Sequence, residues 1–568
     1  MKPILTLCLF GLLLPACLFS QNRFDIIIDE IMADPSPPVG LPANEWIELK
    51  NVSAAPVNLQ SWRIGDASGQ SGPMPAITIP PGGFIIVCSS SSLTAMSVFG
   101  TAVPVTSFPS LDNDGDQLFL KSPSGKIIHA VSYSSSWYKN ELKKEGGWTI
   151  EMIDTQNPCT GAANWKASTD TRGGTPGGIN SADGVNADNT APVLLRSYTT
   201  DNSTIILVYN EPVDSLSGAT LSNYTIDGGL SLTSATTLPP LFNTVQLKTN
   251  TPLAVNTIYT ITASNISDCK GNALSDGSVR TGLPSDPITG EWIVNEILFN
   301  PRPNAWDFVE CFNQSNKIFD ASKLSLANRN NSGVISSIKR LSETPFLIFP
   351  GDHIVVTEDP DNLAVHYLVK NPAMVLPVSS MPSYPDDEGT VVLLNFQGEV
   401  TDEVQYKDDW HFKLLTDTEG VSLEKIDPAA SSSDKTNWHS AASTAGYATP
   451  TYTNSQYRRV DAVLAAITVS PKVFSPDNDG RDDIASIQYQ TEGPGFVANS
   501  TIYNTAGIAV RQLVRNATMA ANGYWNWDGL DDKGNKLPVG TYIIFTEIFN
   551  LQGKKQQFKT PVVLARKL

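Results

Sequence analysis

The chain has 568 residues, too many for a single hydrophobic core, so several domains are expected. Its formal charge of −18 and the lack of a basic stripe weigh against binding to nucleic acid or to anionic membrane surfaces. The acidic balance instead favours a protein kept soluble by self-repulsion, and it is compatible with the uptake of divalent cations.

The first 20 residues are predicted to be a secretory signal peptide. Lys2 precedes an apolar run at residues 4–14, and polarity rises sharply at Gln21. Ala16-Cys17 leaves open cleavage as a lipoprotein with lipidation of Cys17, although cleavage before Gln21 is the main interpretation. No later stretch has the roughly 18 uninterrupted apolar residues of a transmembrane helix. We therefore expect an exported chain, extracellular or on the outer cell surface.

Strand patterns dominate the rest of the chain. Short runs rich in β-branched and aromatic residues, such as F-I-I-V-C and T-Y-I-I-F, alternate with clusters of Gly, Pro, Asn, Asp and Ser. Helical patterns are limited to residues 361–369 and their counterpart 92–99. The predicted fold class is all-β, with four Ig-like antiparallel β-sandwich domains in tandem. Polar stretches at 173–190, 283–290 and 441–456 are interpreted as linkers.

One domain is present twice. The segment D-E-I-M-A-D-P at 29–35 matches N-E-I-L-F-N-P at 295–301, and E-W-I-E-L-K-N at 45–51 matches D-F-V-E-C-F-N at 307–313. Further pairs follow in register: Tyr133/Tyr406, Trp137/Trp410, Trp165/Trp438 and Pro176/Pro450. A duplicated module favours a scaffold or binding protein over an enzyme.

Each copy resembles the lamin-tail domain, an Ig-like β-sandwich. The resemblance depends on the I-x-E-I strand, the E-W-I-E-L-x-N strand, the following proline-glycine turn and the G-D-Q-L-F-L-K-S-P-S-G-K motif that begins at Gly115. The second copy departs from it, since Asp307 and Phe308 replace Glu45 and Trp46. The resemblance implies lamin-tail domains at residues 24–180 and 291–455.

Two other domains are predicted from similar resemblances. Residues 191–284 resemble the bacterial Ig-like domains that serve as spacers in surface proteins, with turn signatures at Glu211-Pro212-Val213 and at 268–272. These acidic turns are interpreted as structural, with calcium binding as the alternative. Residues 467–568 are similar to the Ig-like domain of flagellar hook-capping proteins and to C-terminal modules of exported Bacteroidota proteins. Some of those modules act as type IX secretion signals, so this domain is a possible sorting domain.

Two acidic loops have the spacing of oxygen ligands for calcium. The first candidate site surrounds Gly480, and the second surrounds Gly115, where a polar turn expected in the lamin-tail family is the stronger interpretation. Neither matches the full calcium loop with its terminal Glu. Calcium is the one cofactor considered, and its candidate ligands are Asp477, Asp479, Asp482 and Asp483, and Asp112, Asp114 and Asp116.

Removal of the signal peptide leaves four cysteines, Cys88, Cys159, Cys269 and Cys311, which is too few for a disulfide framework. We expect buried thiols, with a Cys88–Cys159 bond as the alternative.

Motifs for catalysis are missing from the sequence. There is no H-E-x-x-H, nucleophile elbow, phosphate loop or dinucleotide fingerprint. Glu45 and Glu48 lie an odd number of positions apart on a strand and so point to opposite faces, which argues against a carboxylate pair. His411 and His439 are expected at the surface. A sugar-stacking face and packing in the core are both open interpretations for six tryptophans: Trp62, Trp137, Trp148, Trp165, Trp410 and Trp438.

The sequence thus predicts a non-catalytic, exported scaffold or adhesion protein of the cell surface. Binding to a protein or polysaccharide would use loops at the ends of the sandwiches or exposed sheet edges. One alternative is an array of carbohydrate-binding accessory modules, and another is a structural component of a surface layer or of gliding motility.

Overall fold

The computed structural model describes residues 21–413, 415–457, 465–477 and 482–566. The predicted signal peptide and Asp479 lie outside the described residues. Strands form nearly all of the regular structure, which confirms the predicted all-β class. By contacts the chain divides into two compact units, one of Met1–Pro252 with Thr260–Arg280 and the other of Leu253–Tyr259 with Thr281–Leu568. Each sheet draws its strands from only one of the four predicted domains.

The first sandwich lies in the first unit and contains the short helix α1 (Leu93–Met96). Its strands are β1 (Ile26–Met32), β2 (Trp46–Asn51), β3 (Val57–Asn58), β4 (Arg63–Gly65), β5 (Thr78–Ile79), β6 (Phe84–Ser89), β7 (Ala102–Val105), β8 (Gly115–Lys121), β9 (Ile127–Ser134), β10 (Ile150–Met152) and β11 (Trp165–Ala167). A six-stranded sheet has the order β11-β10-β1-β2-β6-β7, with β6 and β7 parallel, and a second sheet has the order β4-β8-β9.

Every residue of β1 is buried, including Asp29 and Glu30. The core side carries Ile28 and Ile31, which pack against the second sheet. A strand that is buried on both faces needs a cover on the outer face as well. In this sandwich the cover includes residues 173–182, described below.

The strands of residues 191–284, which we call the spacer, follow mostly in the same unit, with helix α2 (Ser215–Ala219). They are β12 (Leu194–Asp201), β13 (Thr204–Tyr209), β14 (Tyr224–Ile226), β15 (Leu232–Leu238), β16 (Thr244–Thr249), β17 (Tyr259–Ala263), β18 (Ile266–Ser267), β19 (Ala273–Leu274) and β20 (Gly277–Thr281). The sheets are β12-β13-β16-β15, β14-β17-β20 and β18-β19. The Asp214 side chain caps α2 by accepting hydrogen bonds from the amides of Leu216 and Ser217.

The second sandwich lies in the second unit, with helix α3 (Pro360–His366). Its strands are β21 (Trp292–Leu298), β22 (Phe308–Asn313), β23 (Phe319–Asp320), β24 (Ser325–Arg329), β25 (Ile335–Arg340), β26 (Leu347–Ile348), β27 (His353–Thr357), β28 (Val375–Pro377), β29 (Glu388–Leu394), β30 (Val400–Lys407), β31 (Leu423–Lys425) and β32 (Trp438–Ser440). Its six-stranded sheet, β32-β31-β21-β22-β27-β28, repeats the order of the first sandwich and its parallel edge pair.

The last strands are β33 (Ala466–Ser470), β34 (Val473–Phe474), β35 (Ala485–Gln490), β36 (Phe496–Asn504), β37 (Ala509–Thr518), β38 (Asn522–Trp527), β39 (Gly540–Asn550) and β40 (Lys555–Leu564). They form sheets of order β33-β35-β38 and β34-β40-β39-β36-β37 around a core that contains Trp527 and Tyr542. The backbone of this domain contacts the second sandwich, where the Ala521 amide donates to the Ser455 carbonyl at 3.0 Å.

The predicted helices are present as α1 and α3, although both are shorter than the patterns that predicted them. Helix α3 begins where the Asp359 carboxylate accepts a hydrogen bond from the Asn362 amide and Pro360 occupies the first turn. Helix α2 was not predicted, because its five residues, S-L-S-G-A, carry no apolar periodicity.

The expectation of buried thiols is confirmed for Cys88 and Cys311 and was wrong for the other two cysteines. Cys159 forms a disulfide with Cys269, and their Cα atoms lie 6.2 Å apart, within the usual range for such a bond. Cys88 cannot pair with Cys159 in this fold, because β6 buries it in an apolar cluster with Trp46 and Met96. The two bonded cysteines come from different predicted domains, and the loop around Cys159 meets the turn at residues 268–272 inside the first unit.

Candidate functional site

Three glutamates lie side by side on adjacent strands of each six-stranded sheet. In the first sandwich Glu30 is directly opposite both Glu48 and Glu151. In the second sandwich Glu296 is directly opposite both Glu310 and Glu424. All six side chains are 0% exposed. Like charges placed opposite each other across strands are destabilising, so each set of carboxyl groups needs protons or hydrogen-bond donors to be tolerated.

A segment that we call the strap supplies these donors in the first sandwich; it comprises residues 173–182. The Thr175 amide donates to Glu30 at 2.7 Å, and the Ala182 amide donates to Glu151 at 2.7 Å. The Gly177 amide donates to Glu48. Each glutamate therefore accepts a hydrogen bond from one strap amide.

The second sandwich has an equivalent strap at residues 446–456. Its amides donate to the three glutamates at 2.8, 2.6 and 2.8 Å, in the pairs Thr449 to Glu296, Thr451 to Glu310, and Gln456 to Glu424. Both straps contain the pattern T-P-x-x-x-N-S, which begins at Thr175 and at Thr449. The interpretation of these segments as linkers was wrong, because their partners are buried carboxyl groups rather than apolar side chains.

The asparagine of this pattern fixes the strap to the sheet backbone. The Asn180 amide donates to the carbonyls of Asp29 and Met152, at 3.0 and 2.9 Å. In the second sandwich the Asn454 amide donates to the carbonyls of Asn295 and Lys425, at 3.0 and 2.8 Å. Asp29 and Asn295 each lie where the pairing register shifts, which is typical of a β-bulge.

Burial raises the pKa of several of these carboxyl groups. Desolvation is the main cause, and it raises the pKa of Glu30 to about 8, that of Glu48 to about 10 and that of Glu424 to about 7. One hydroxyl hydrogen of Thr449 faces two carboxyl oxygens, on Glu296 at 3.0 Å and Glu424 at 2.8 Å, so a proton held by this pair completes the hydrogen bonding. These groups are fully buried and hold the strap through hydrogen bonds.

The two sandwiches differ beside the ladder of glutamates. In the second, the Asn295 amide donates to Glu310 and to the Asn454 side-chain carbonyl, both at 2.8 Å. In the first, the corresponding Asp29 carboxyl oxygens accept no hydrogen bond from the described residues. Burial raises the pKa of Asp29 to about 7.

A basin opens at this place in the second sandwich. It has a volume of about 790 Å³, and its lining includes Asn295, Phe312, His353, Asp427, Asn454 and Tyr457. His353 lies 2.9 Å from Glu310 through its Nδ1 atom, and its ring lies against Phe312 at a centroid distance of 4.6 Å. No sequence motif pointed to this basin, because its residues come from three strands, from loops beside the strands, and from the end of the strap with the adjoining Tyr457.

The predicted calcium ligands are placed as follows. Asp112 and Asp114 are exposed, and Asp116 is partly buried at the start of β8, where its carboxylate accepts the Gln117 amide. Asp477 accepts a hydrogen bond from the Ser475 hydroxyl, and the Ser475 amide donates to the backbone carbonyl of Asp482. In the described parts of the chain, neither set of candidate calcium ligands forms a group of three converging side chains. Calcium binding at both loops stays a prediction.

Three acidic side chains do come together elsewhere in the described residues. Oxygens of Asp188, Glu211 and Asp268 lie within 4.8 Å of one another, beside the disulfide-linked turn of the spacer. Asp268 accepts the amides of Lys270 and Asn272, so it closes its own turn, as the structural interpretation predicted. Burial, with the charges of Asp188 and Asp268, raises the pKa of Glu211 to about 7. Carboxylate oxygens are ligands that calcium takes, but hydrogen bonds within the turn account for the geometry of Asp268.

The aromatic candidates lie in the cores. Trp62, Trp137, Trp165 and Trp438 are at most 8% exposed, and Trp148 and Trp410 pack at the edges of the same cores. They do not form an exposed sugar-stacking face. Trp306 is the tryptophan with the largest exposure among the described residues, at 46%.

The surface placement of two histidines was wrong. His411 is 5% exposed, and its Nδ1 atom lies 2.8 Å from the Ser440 hydroxyl; burial lowers its pKa to about 4. His439 is partly buried against the Phe412 ring, and burial lowers its pKa as well. A contact between the second sandwich and the C-terminal domain covers this region, since the Gly495 position lies against His439.

The family model described as Lamin Tail Domain matches residues 20–135. This range covers β1 to β9 and confirms the resemblance for that part of the first sandwich. No curated protein matches the chain. No helix in the described residues is long and apolar enough to cross a membrane.

Solved structures similar to this chain include surface-layer protein SbsC, domains 1–6, at 12% identity over 67% of this chain and 55% of that chain, with a TM-score of 0.16. A DUF4876 family protein from Bacteroides thetaiotaomicron VPI-5482 is 12% identical over 37% of this chain and 85% of that chain, with a TM-score of 0.18. A calcium-stabilised adhesin with which an Antarctic bacterium binds ice is 9% identical over 96% of this chain and 100% of that chain, with a TM-score of 0.12. TM-scores this low carry no argument about the present chain, which spans about half of the SbsC structure.

Proposed function

We propose that this chain is an exported, non-catalytic scaffold or adhesion protein of the cell surface, with four β-sandwich domains at residues 24–180, 191–284, 291–455 and 467–568. The observation that supports it best is the repeated use of buried glutamates to hold a strap. Six carboxyl groups that could have served as general acids or bases are 0% exposed and bonded to the chain itself. The framework was duplicated, which suits a protein that presents surfaces.

The second sandwich is proposed to be a second lamin-tail domain. Its sheet order, its bulge at Asn295, its glutamates and its strap repeat those of the first sandwich, which contains the residues matched by the family model. The spacer is proposed to be a bacterial Ig-like domain, held to the first sandwich by the Cys159–Cys269 disulfide. A disulfide between two domains fits an oxidising, extracellular location.

The C-terminal domain is proposed to direct export or surface attachment. The test compares cells that produce the full chain with cells that produce a chain ending before residue 467, using protease treatment of intact cells and fractionation. We expect the full chain to be degraded by external protease and the shortened chain to stay inside the cell. Retention of the full chain in the cytoplasm would refute the proposal of export, and equal display of both chains would refute the sorting role alone.

A further inference from the structure

The basin in the second sandwich is not required by the fold, because the first sandwich fills the same place. There Lys50 is the partner of Phe84 across β2 and β6, as Phe312 is the partner of His353 across β22 and β27. The Lys50 ammonium lies 5.1 Å from the centre of the Phe84 ring and 3.4 Å from the Thr155 hydroxyl. The Lys50 side chain thus covers, in the first sandwich, the region that stays open beside Phe312 in the second.

The floor of the basin is held rigidly. Asn295 is 2% exposed and bonds to Glu310 and to Asn454, which is 6% exposed. His353 bonds to the same Glu310. A site whose polar groups are fixed by buried neighbours loses little entropy when a ligand binds.

The lining combines flat aromatic rings with polar side chains. Phe312 and His353 lie at an interplanar angle of 36°, and Tyr457 adds a third ring. Amide and hydroxyl groups come from Asn295, Gln314 and Thr453, and Asp427 adds a carboxylate. Among the described residues of the lining there is no Lys or Arg, and the Asp427 carboxylate would repel an anionic ligand. Its volume of about 790 Å³ lies within the range of about 300–1,000 Å³ usual for ligand pockets.

We propose that this basin binds one or two neutral sugar residues of a glycan, with a pyranose ring against Phe312 or Tyr457 and its hydroxyl groups on the side chains of Gln314, Thr453 and Asp427. The carbon face of a pyranose is apolar and packs on aromatic rings, while its hydroxyls both donate and accept, as the side chains of Gln, Thr and Asp require. The inference builds on the proposed binding function and names its ligand class. The tryptophans that the sequence suggested play no part in it.

The test uses the full secreted chain in native gels that contain one polysaccharide each. The neutral probes are a β-glucan, an α-mannan, a galactomannan and a xylan, and the acidic probe is polygalacturonate. We expect retardation by at least one neutral probe. Phe312→Lys, which introduces the residue found at the matching place in the first sandwich, is expected to weaken that binding at least about tenfold.

Trp306→Ala is the matched aromatic control, because Trp306 is exposed and lies outside the lining. It is expected to bind as the unchanged chain does. Tyr457→Ala is a second basin variant, and thermal melting verifies that each variant is folded. The proposal is overturned by no retardation with any neutral probe, by unchanged binding of both basin variants, or by stronger retardation with the acidic probe. Surface display is measured separately, so a failure of sugar binding is distinguishable from a failure of export.

Discussion

Glu48 and Glu310 occupy equivalent positions on β2 and β22 and are equally buried, yet their surroundings differ. Glu48 accepts the Gly177 amide with one oxygen, and its other oxygen has no hydrogen-bond partner among the described residues. Burial raises the pKa of Glu48 to about 10, so this side chain is a neutral acid at pH 7. Glu310 meets three groups instead, on Asn295, His353 and Thr451.

This contrast predicts opposite outcomes for the same substitution. Glu48→Gln replaces a neutral acid by an amide of the same shape, so hydrogen exchange at the Gly177 amide should change little at pH 7. In Glu310→Gln the new NH₂ group faces one of the donors. The strap should be destabilised by about 2 kcal/mol, which corresponds to ~30-fold faster hydrogen exchange at the Thr451 amide. Exchange followed by mass spectrometry on the full chain measures both. Equal effects of the two variants would contradict the assignment of the proton to Glu48.

Part of this arrangement was predictable from residues alone. The I-x-E-I and E-W-I-E-L-x-N motifs identify Glu30 and Glu48 as strand residues of the fold. Glu151 belongs to no such motif, and its link to Glu30 crosses about 120 positions of sequence, as the pairing of β1 with β10 shows. Contacts of that range depend on the completed sheet, so local patterns do not report them.

At the scale of elements, the straps show where composition misleads. Their Gly, Pro, Thr, Asn and Ser residues are typical of linkers, because such residues bury little apolar surface. They are nevertheless covered: Thr449 and Gln456 are 0% exposed, and Asn180 is 5% exposed. The recurrence of T-P-x-x-x-N-S in both copies was the available signal, since a free linker has no reason to retain a pattern of donors.

The Cys159–Cys269 disulfide gives a testable prediction at the scale of elements. It closes a loop with a sequence separation of 110 residues, and for such a loop the chain-entropy model gives a stabilisation of about 4 to 5 kcal/mol. Peptide mapping without reduction should recover Cys159 linked to Cys269, with Cys88 and Cys311 as free thiols. Dithiothreitol should lower a melting transition of the unchanged chain but leave that of a Cys159→Ser/Cys269→Ser variant unmoved. A Cys88–Cys159 peptide in the map would contradict the fold described here.

For the whole molecule, alternating strands and the internal repeat were enough to predict an all-β chain with a duplicated sandwich. The grouping into two compact units could not be predicted from the sequence, because each unit joins two predicted domains through contacts between distant segments. The disulfide joins one such pair, and the hydrogen bond between Ala521 and Ser455 belongs to the other. Turn-rich loops that carry these contacts show no periodicity from which a partner could be inferred.

The buried carboxyl groups also set how the stability of the whole chain depends on pH. Burial raises the pKa of Asp29, Glu30 and Glu48 above their values in the unfolded chain, so the folded state holds protons that the unfolded state releases. Their contribution to the free energy of unfolding is fully present below about pH 4 and is lost as the pH rises through about 7 to 10. His129 and His411 act in the other sense, since burial lowers their pKa to about 4 and their contribution is lost as the pH falls toward that value.

Because Glu296 and Glu424 also have raised pKa values, the carboxyl groups outnumber these histidines, and we expect higher melting temperatures at pH 5 than at pH 9. Each additional proton held by the folded state changes the free energy of unfolding by about 1.4 kcal/mol per pH unit. Calorimetry at pH 5, 7 and 9 measures the trend. Repetition in high salt separates it from repulsion among surface charges, because salt screens exposed charges far more than buried ones. Glu48→Gln should make the melting temperature depend less steeply on pH above pH 7. A melting temperature that rises from pH 5 to pH 9 in high salt would show that these carboxyl groups are ionised in the folded chain.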